Sequence, residues 1–295
     1  MKATFFIIPE SFQYKGEPQS DIERKIENFA IDLRRIKETP INDILCHSDV
    51  YNVEFFKNKT ISDILNVPKH ESIDRDVFQH LRIIWELKES TDSIDDIKEV
   101  YIPGHNENEC YGLVAFNQID NILPEYQLIY GIDSWFKFRR FFLGVYPKNV
   151  DFFIDECNVY FENLFFHEDN KISLKRLFPN CVKRVIYHLS ELNDKFPQSK
   201  TIPYNRIDTL GKFNSTYSHD GQEASPQGDI KKKKDLTFNF VNEKGSVESM
   251  YCELHLKLSH DDHNVFSNDR RIYFHEGNEK IHEGKILIGH IGKHL

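Results

Sequence analysis

Residues 251–258 read YCELHLKL and alternate strictly between apolar and ionisable side chains. Successive side chains of a β-strand point to opposite faces of its sheet, so this alternation predicts a strand with one buried and one polar face. The two predicted faces are Cys252, Leu254, Leu256 and Leu258 on the buried side, and Glu253, His255 and Lys257 on the polar side. Such a strand needs neighbouring strands and a layer that covers its leucines.

Two further segments supply the neighbouring strands. In DRRIYFH, Ile272 and Phe274 continue the buried face, and three polar side chains fall on the opposite one: Arg271, Tyr273 and His275. The ten residues between the first two strands are few enough for an antiparallel hairpin. A third strand, GKILIGHIGKHL, begins at Gly284 and carries three cationic or titratable groups near its end: His290, Lys293 and His294. The three strands therefore bring imidazole, ammonium, guanidinium and phenol groups together.

The composition changes before these strands. Residues 229–295 contain eleven basic and eleven acidic residues, so residues 1–228 carry the whole formal charge of -9. Seven of the fourteen histidines lie in the last 41 residues. Residues 214–234 are poor in apolar side chains and rich in Gly, Ser and Lys, which is typical of a linker or long loop. We therefore predict one domain over 1–213 and a β-rich domain over 235–295.

The first 213 residues predict a mixed helical domain with short strands. Buried strands are indicated at 4–9, 100–103 and 111–116, and amphipathic helices at 21–38 and 73–88. From residue 133 the pattern becomes strongly helical. The predicted fold class is α+β, ending in a small antiparallel β-rich domain. Neither a GxGxxG motif nor a P-loop motif occurs, so nothing here indicates a dinucleotide or nucleotide-phosphate site.

Residues 135–142, WFKFRRFF, interleave aromatic and basic side chains. This composition suits stacking on nucleic acid, but Trp135, Phe138 and Phe142 also recur at helical spacing. We therefore expect core packing for the rings and a solvated side for most of the basic residues.

The chain has no apolar run near the ~18 residues that a membrane-spanning helix needs, and its N-terminus lacks a signal peptide's small-residue cleavage site. The five cysteines are odd in number and never spaced as CxxC, which argues against a disulfide framework and a cysteine-rich zinc site. We expect a cytoplasmic protein with buried thiols and no membrane partner.

The polar face of the C-terminal strands has two interpretations. An ordinary half-exposed sheet also presents polar side chains to water. Repeated imidazoles beside Arg and Tyr, however, suit acid–base chemistry near neutral pH. Carboxylates and imidazoles at 253–263 also offer metal ligands, although the acidic residue that a metal-dependent nuclease strand needs before Lys257 is replaced by His255.

The order YCELHLKL, RRIYF and KILIGHIGKHL resembles the C-terminal strands of RelE/HigB-type toxins, over the last 45 residues. The resemblance implies a metal-independent ribonuclease without a cofactor, which cleaves RNA by attack of the ribose 2′-hydroxyl on the adjacent phosphate. It implies that Arg271 stabilises the phosphate charge and that Tyr273 stacks on or orients a base. It assigns proton transfer and positive charge to His290, Lys293 and His294. His255, where the family has a strand arginine, is assigned to substrate binding with Lys257 and His275.

The resulting hypothesis is a toxin-like endoribonuclease of bacterial defence whose partner is RNA. The domain over 1–213 would regulate it by sensing a ligand or a protein partner. The alternative is a non-catalytic binding or regulatory protein, in which the His-rich sheet is a recognition face.

Overall fold

The computed structural model describes residues 1–39, 41–66, 74–119, 125–217 and 223–295. The chain divides into two compact units, Met1–Arg139 and Arg140–Leu295. Helices occur together with parallel and antiparallel sheets, which confirms the predicted α+β class. Within the described residues, no helix combines the length and the apolar character needed to cross a bilayer.

The first unit is built on a parallel sheet. Its strands are β1 (Lys2–Ile7), β2 (Asn42–His47), β3 (Glu54–Phe56), β4 (Lys59–Thr60), β5 (Lys88–Ser90), β6 (Glu109–Val114) and β7 (Leu128–Ile129). Its helices are α1 (Gln19–Lys37), α2 (Ile61–Asn66), α3 (Arg75–Trp85), α4 (Ile94–Asp96) and α5 (Ile132–Val145), and α5 continues past residue 139. Five strands pair in parallel in the order β5-β2-β1-β6-β7, and β3 and β4 form a separate hairpin.

Both faces of this parallel sheet are covered. All but the first residue of β1 are buried, as expected for a strand between two layers. The Phe5 ring lies 5.1 Å from Phe138 of α5, whereas the Phe6 ring lies 5.4 Å from Tyr101 on the opposite face. Counted along the chain, the sheet order is 3-2-1-4-5, the order of a doubly wound fold, and it reverses between β1 and β6.

The predicted elements of the first unit are mostly confirmed. Strands predicted at 4–9 and 111–116 overlap β1 and β6, and the two predicted helices overlap α1 and α3, with residue 73 outside the described residues. The strand predicted at 100–103 is wrong. Residues Ile97–Tyr101 form a π-helical turn instead, because Ile97 and Ile102 are buried on one side of it.

The aromatic and basic segment at 135–142 lies in α5. Its rings pack in the core as predicted, with Trp135, Phe138 and Phe142 at most 3% exposed. The expectation of solvated basic residues fails for two of them. Arg139 donates to the Met1 carbonyl oxygen, and Arg140 donates to the Tyr160 carbonyl oxygen and to Asp194. Hydrogen bonds to carbonyl, amide or carboxylate oxygens offset the cost of burying these two guanidinium groups.

The second unit combines helices with a mostly antiparallel sheet. Its helices are α6 (Val150–Tyr160), α7 (Asn170–Ser173), α8 (Val182–Ser199) and α9 (Arg206–Thr216). Its strands are β8 (Leu164–Phe166), β9 (Ser225–Pro226), β10 (Thr237–Val241), β11 (Val247–Tyr251), β12 (Leu254–Lys257), β13 (Arg270–His275) and β14 (Ile286–Lys293). The sheet order is β8-β14-β13-β12-β9, with only β8 and β14 parallel, and β10 pairs with β11.

The three predicted C-terminal strands are confirmed as β12, β13 and β14, adjacent and antiparallel. Their apolar face packs in one core with the helices, through residues such as Leu256 and Phe274 on the strands and Leu192 and Phe196 on α8. The Phe196 and Phe274 rings lie 5.6 Å apart. The strands and α8 therefore belong to one folding unit.

This division differs from the one predicted at 214–234. Part of that segment, 218–222, lies outside the described residues. Beyond it, β9 pairs with β12, and the Asn214 side chain exchanges two hydrogen bonds with the Ala224 backbone. The described residues of this polar segment therefore belong to the second unit, whose helices α8 and α9 cover the leucines of β12.

A fragment from Ile132 to Leu295 should fold cooperatively, whereas residues 235–295 alone should not. The longer fragment keeps the helices that bury Leu254, Leu256 and Leu258, all 0% exposed in the fold. The shorter one would expose them at a cost of about 25 cal/mol per Å² of apolar surface. Circular dichroism melts of both fragments test this. A sharp transition for 235–295 alone would show an independent C-terminal domain instead.

The opposite face of the sheet is partly covered as well. The β10–β11 hairpin packs on it through a second apolar cluster that includes Phe238, Met250, Cys252, Tyr273 and Leu287. Cys252 therefore lies on the face of Tyr273, and its predicted place beside Leu254 is wrong. The strict alternation breaks because β11 ends at Tyr251 and β12 begins only at Leu254.

Candidate functional site

The strand register aligns the predicted site residues in two rows. His255 of β12 pairs with Tyr273 of β13, which pairs with His290 of β14. In the next row, Lys257 pairs with Arg271, which pairs with Gly292. Because side chains two residues apart share a face, both rows lie on the face opposite the leucine core.

An irregularity in β14 sets which histidine reaches this face. The register shifts between Tyr273 and Phe274, so that Tyr273 pairs with His290 while Phe274 pairs with Ile288. The extra residue, Gly289, lets both Ile288 and Ile291 join the leucine core. A Cβ atom on Gly289 would lie 2.6 Å from the Phe238 ring and 2.9 Å from the Cys252 sulfur, so only glycine fits here.

Tyr273 is the centre of an imidazole group that we call the Tyr273 cluster: Tyr273, His255, His290 and His294. The Tyr273 ring centroid lies 5.5 Å from that of His255, 6.1 Å from His290 and 6.3 Å from His294. Its hydroxyl group is 2.7 Å from Nδ1 of His294. Tyr273 is fully buried, and burial raises the pKa of its phenol, so the hydroxyl is protonated at neutral pH.

Arg271 is a buried cation. It is 8% exposed, one terminal nitrogen donates to the Arg270 carbonyl oxygen at 2.8 Å, and its Nε has no hydrogen-bond partner. No carboxylate in the described part of the chain forms an ion pair with it, and burial lowers the pKa of the guanidinium. Lys257 lies directly opposite, so two positive charges adjoin on neighbouring strands. Like charges in this position are destabilising unless an anion joins them.

His255 is the member of the Tyr273 cluster on which the charges of both Arg271 and Lys257 act. It is 6% exposed, and its Nδ1 is buried without a partner. Burial, followed by the charges of Arg271 and Lys257, lowers the pKa of His255 to about 4. The ring is therefore neutral at physiological pH and leaves one unsatisfied nitrogen beside the cations.

The backbone holds His290. Its Nε2 lies 2.9 Å from the Lys293 carbonyl oxygen, and the ring can fold back only because Gly292 has no Cβ, which would lie 2.7 Å from that nitrogen. Burial lowers the pKa of His290. The pKa of the exposed His294 is lowered by desolvation and then by the charges of Lys232 and Arg271. Because the pKa of each is lowered, both imidazoles are mainly neutral in the free protein at neutral pH.

Two predicted site residues lie apart from the Tyr273 cluster. The Lys293 ammonium is exposed and 4.0 Å from Asp269. His275 accepts the Gly277 N–H at 3.1 Å, and the charged groups around it are Glu276, Arg206, Lys200 and Glu253. The structure therefore brings together Arg271, Tyr273, His255, His290, His294 and Lys257, but not Lys293 or His275.

The carboxylates at 253–263, which the sequence offered as possible metal ligands, have other partners in the fold. Glu253 forms an ion pair with Arg206 at 2.5 Å. Asp262 accepts the N–H groups of Lys183 and Arg184 at the start of α8, and Asp261 accepts two N–H groups of its own loop. Among the residues that the structure describes, no group of three or more His, Cys, Asp and Glu side chains is placed to hold a metal ion.

One further cation adjoins the site. The Lys232 ammonium donates to the Leu295 backbone oxygen, next to His294. Sequence reasoning placed Lys232 in a linker, and the only available signal was the basic run at 231–234. The fold brings this lysine to the site because Leu236 joins the apolar cluster of the hairpin.

Comparison with known proteins gives no relative of this chain: no family model, no curated protein and no solved structure matches it. The resemblance to RelE/HigB-type toxins therefore rests on the three strand motifs alone.

Proposed function

We propose that the second unit is a metal-independent, toxin-like endoribonuclease that acts in bacterial defence. Its RNA substrate would place a backbone phosphate at Arg271 and Lys257. The observation that carries this proposal is the buried Arg271 guanidinium, which forms no ion pair with a carboxylate among the described residues and faces a second cation, with Asp269 as its nearby negative charge. A phosphate oxygen would supply the missing acceptor and neutralise both charges.

The proton positions support an acid–base pair. A carbonyl oxygen only accepts, so Nε2 of His290 carries a proton and its Nδ1 is left as an acceptor. The Tyr273 oxygen lies 2.7 Å from Nδ1 of His294 and can accept a proton carried there, which supports the imidazolium form of His294 with a second proton on Nε2. His290 therefore suits the base role and His294 the acid role.

In the proposed reaction, His290 accepts the proton of the ribose 2′-hydroxyl while its oxygen attacks the adjacent phosphorus. His294, in its imidazolium form, donates its Nε2 proton to the departing 5′-oxygen and is left as neutral imidazole. Arg271 and Lys257 stabilise the negative charge that develops on the phosphoryl oxygens. The products are a 2′,3′-cyclic phosphate and a 5′-hydroxyl end.

Purified full-length protein should cleave RNA in excess EDTA and leave 2′,3′-cyclic phosphate ends. The rate should fall as the pH is lowered through the His290 pKa, because protonation removes the base, and this fall should lie below pH ~6.5 since burial lowers that pKa. End-group analysis by mass spectrometry and a pH–rate profile measure both. His290→Ala should abolish the acid limb of the profile.

Two other outcomes would contradict this mechanism. Cleavage that EDTA abolishes and Mg²⁺ or Mn²⁺ restores would point to a carboxylate–metal site at Glu253 and Asp261. RNA binding without cleavage would favour the second candidate, a non-catalytic recognition face. The burial of His255, Arg271 and Tyr273 is the observation that favours this non-catalytic candidate, because a rigid recognition face also holds its polar groups in fixed, largely buried positions.

The proposal places the protein in the cytoplasm and gives the first unit a regulatory role. All five cysteines are buried and free, in keeping with a reducing compartment. RNA partners would meet the second unit, and a ligand or protein partner would act on the first.

A further inference from the structure

The first unit has the topology of a ligand-binding sheet. In doubly wound sheets, ligands bind outside the carboxyl ends of the strands, near the point where the strand order reverses. Here that point lies between β1 and β6. The segments that leave these two strands are joined, because the Asn117 N–H donates to the Ser11 carbonyl oxygen at 2.9 Å. The Phe12 and Phe116 rings stack at 5.0 Å and fill the crevice.

The segment after β1 is not suited to phosphate. It carries Glu10 and Glu17 where a dinucleotide-binding fold has a glycine-rich loop. Glu10 pairs with Lys98 at 2.5 Å and Glu17 pairs with Lys25 at 2.6 Å. The ammonium groups of Lys98 and Lys25 are therefore already neutralised by this segment, and a negatively charged ligand would meet carboxylates.

A cavity of about 330 Å³ opens beside the filled crevice. It lies between α1 and the residues that follow β6 and β7. Its walls include Lys25, Asn28, Phe29, Asp32, Phe116 and Tyr130. The Phe29 and Phe116 rings are almost fully buried and 5.7 Å apart, whereas Tyr130 is 44% exposed at the mouth. A cavity of this size with aromatic walls is typical of a small-molecule site.

The charge left free in this cavity is negative. Asp32 is half-buried and accepts the Ile132 N–H. No cation in the described residues pairs with it. Burial, followed by repulsion from Asp133, raises the pKa of Asp32 to about 6. The Lys25 ammonium across the cavity is held by Glu17 and by the Asn117 side-chain oxygen at 2.7 Å, so it does not neutralise Asp32.

We propose that this cavity binds a small organic cation, whose ammonium, amidinium or guanidinium group pairs with Asp32 while its body lies against Phe29, Phe116 and Tyr130. A half-buried carboxylate without a cation gains most from such a group. Aromatic ring faces attract the same charge. The site is separate from the one proposed for RNA cleavage.

The test is a calorimetric titration of the full-length protein with three probes of matched shape: 4-aminobenzamidine, neutral 4-aminobenzamide and anionic 4-aminobenzoate. The amidine should bind at least tenfold more tightly than the amide, and the benzoate should not bind. Asp32→Asn should weaken amidine binding at least tenfold. Glu27→Gln, which removes an exposed carboxylate of the same helix outside the cavity, should leave it unchanged.

The pH dependence gives an independent readout. Amidine binding to the wild type should weaken as the pH falls through about 6, because Asp32 gains a proton there. Other titratable groups face the cavity or Asp32, namely Asp133, Lys25 and Tyr130. The weakening of amidine binding at low pH should nevertheless disappear when Asp32 is replaced by Asn, because Asp32 is the group whose protonation causes it. Tyr130→Ala tests the ring wall and should weaken binding several-fold.

Equal affinity for amidine and amide, unchanged binding in Asp32→Asn, or no saturation at about 10 mM amidine would each overturn the inference. Thermal melts of the variants establish that they are folded. RNA cleavage is measured in parallel, and its absence would leave the cation site unaffected.

Discussion

Replacement of Arg271 by lysine should slow RNA cleavage at least tenfold, and replacement by alanine should slow it by about 10²- to 10³-fold. The planar guanidinium can hold two phosphoryl oxygens at once, whereas an ammonium keeps the charge without that geometry. A tenfold loss corresponds to about 1.4 kcal/mol of transition-state stabilisation. Single-turnover cleavage of a defined RNA measures the effect directly.

Arg270 provides the matched control. It precedes Arg271 on the same strand, but it donates to the Val265 carbonyl oxygen and lies 3.9 Å from Asp261. Arg270→Lys should therefore leave the cleavage rate within about twofold of the wild-type rate, since the Arg270 side chain contacts the loop between β12 and β13. Equal losses for the two lysine variants would mean that Arg271 acts through the fold alone, which thermal melts of both proteins would reveal.

The C-terminal strands could be predicted because a period of two reports the two faces of a strand directly. Leu254, Leu256 and Leu258 lie in the core as the alternation required. The same logic failed at Cys252 and could not find the bulge at Gly289. The facing of Cys252 and the position of the bulge both depend on where a strand is interrupted. The packing of the β10–β11 hairpin sets these interruptions, and the sequence of the strand itself does not reveal them.

The parallel sheet of the first unit left much weaker signals. Its edge strands, β5 and β7, have only three and two residues, which is too short for any period to emerge. The glycine motif that usually marks such a fold is absent, because aromatic rings fill the position of a dinucleotide. The cavity beside Asp32 could not be predicted either, since it is formed by segments about 80 to 110 residues apart in the chain.

The candidate catalytic site was predictable in part. Strand order and facing were enough to bring His255 and Tyr273 together, whereas His290 joins them only through the bulge at Gly289. The burial of Arg271, its missing carboxylate and the approach of Lys232 arise from tertiary contacts of the hairpin and its preceding turn. The sequence therefore indicates which groups share a face, and the fold decides which of them are left unsatisfied.

Leu256→Asp should destabilise the second unit by more than about 4 kcal/mol, whereas Lys257→Asp should change its stability by less than about 1 kcal/mol. Leu256 is 0% exposed in the leucine core and pairs with Ile272, so an aspartate there would be a buried charge without a partner. Lys257 is half-buried on the other face, opposite Arg271, and an aspartate there would replace a repulsion by an ion pair. Urea unfolding followed by circular dichroism compares the two variants, which place the same charge on adjacent residues of one strand. Similar losses in both would show that the strand does not separate a core face from a cationic face, and the proposed phosphate site would lose its structural basis.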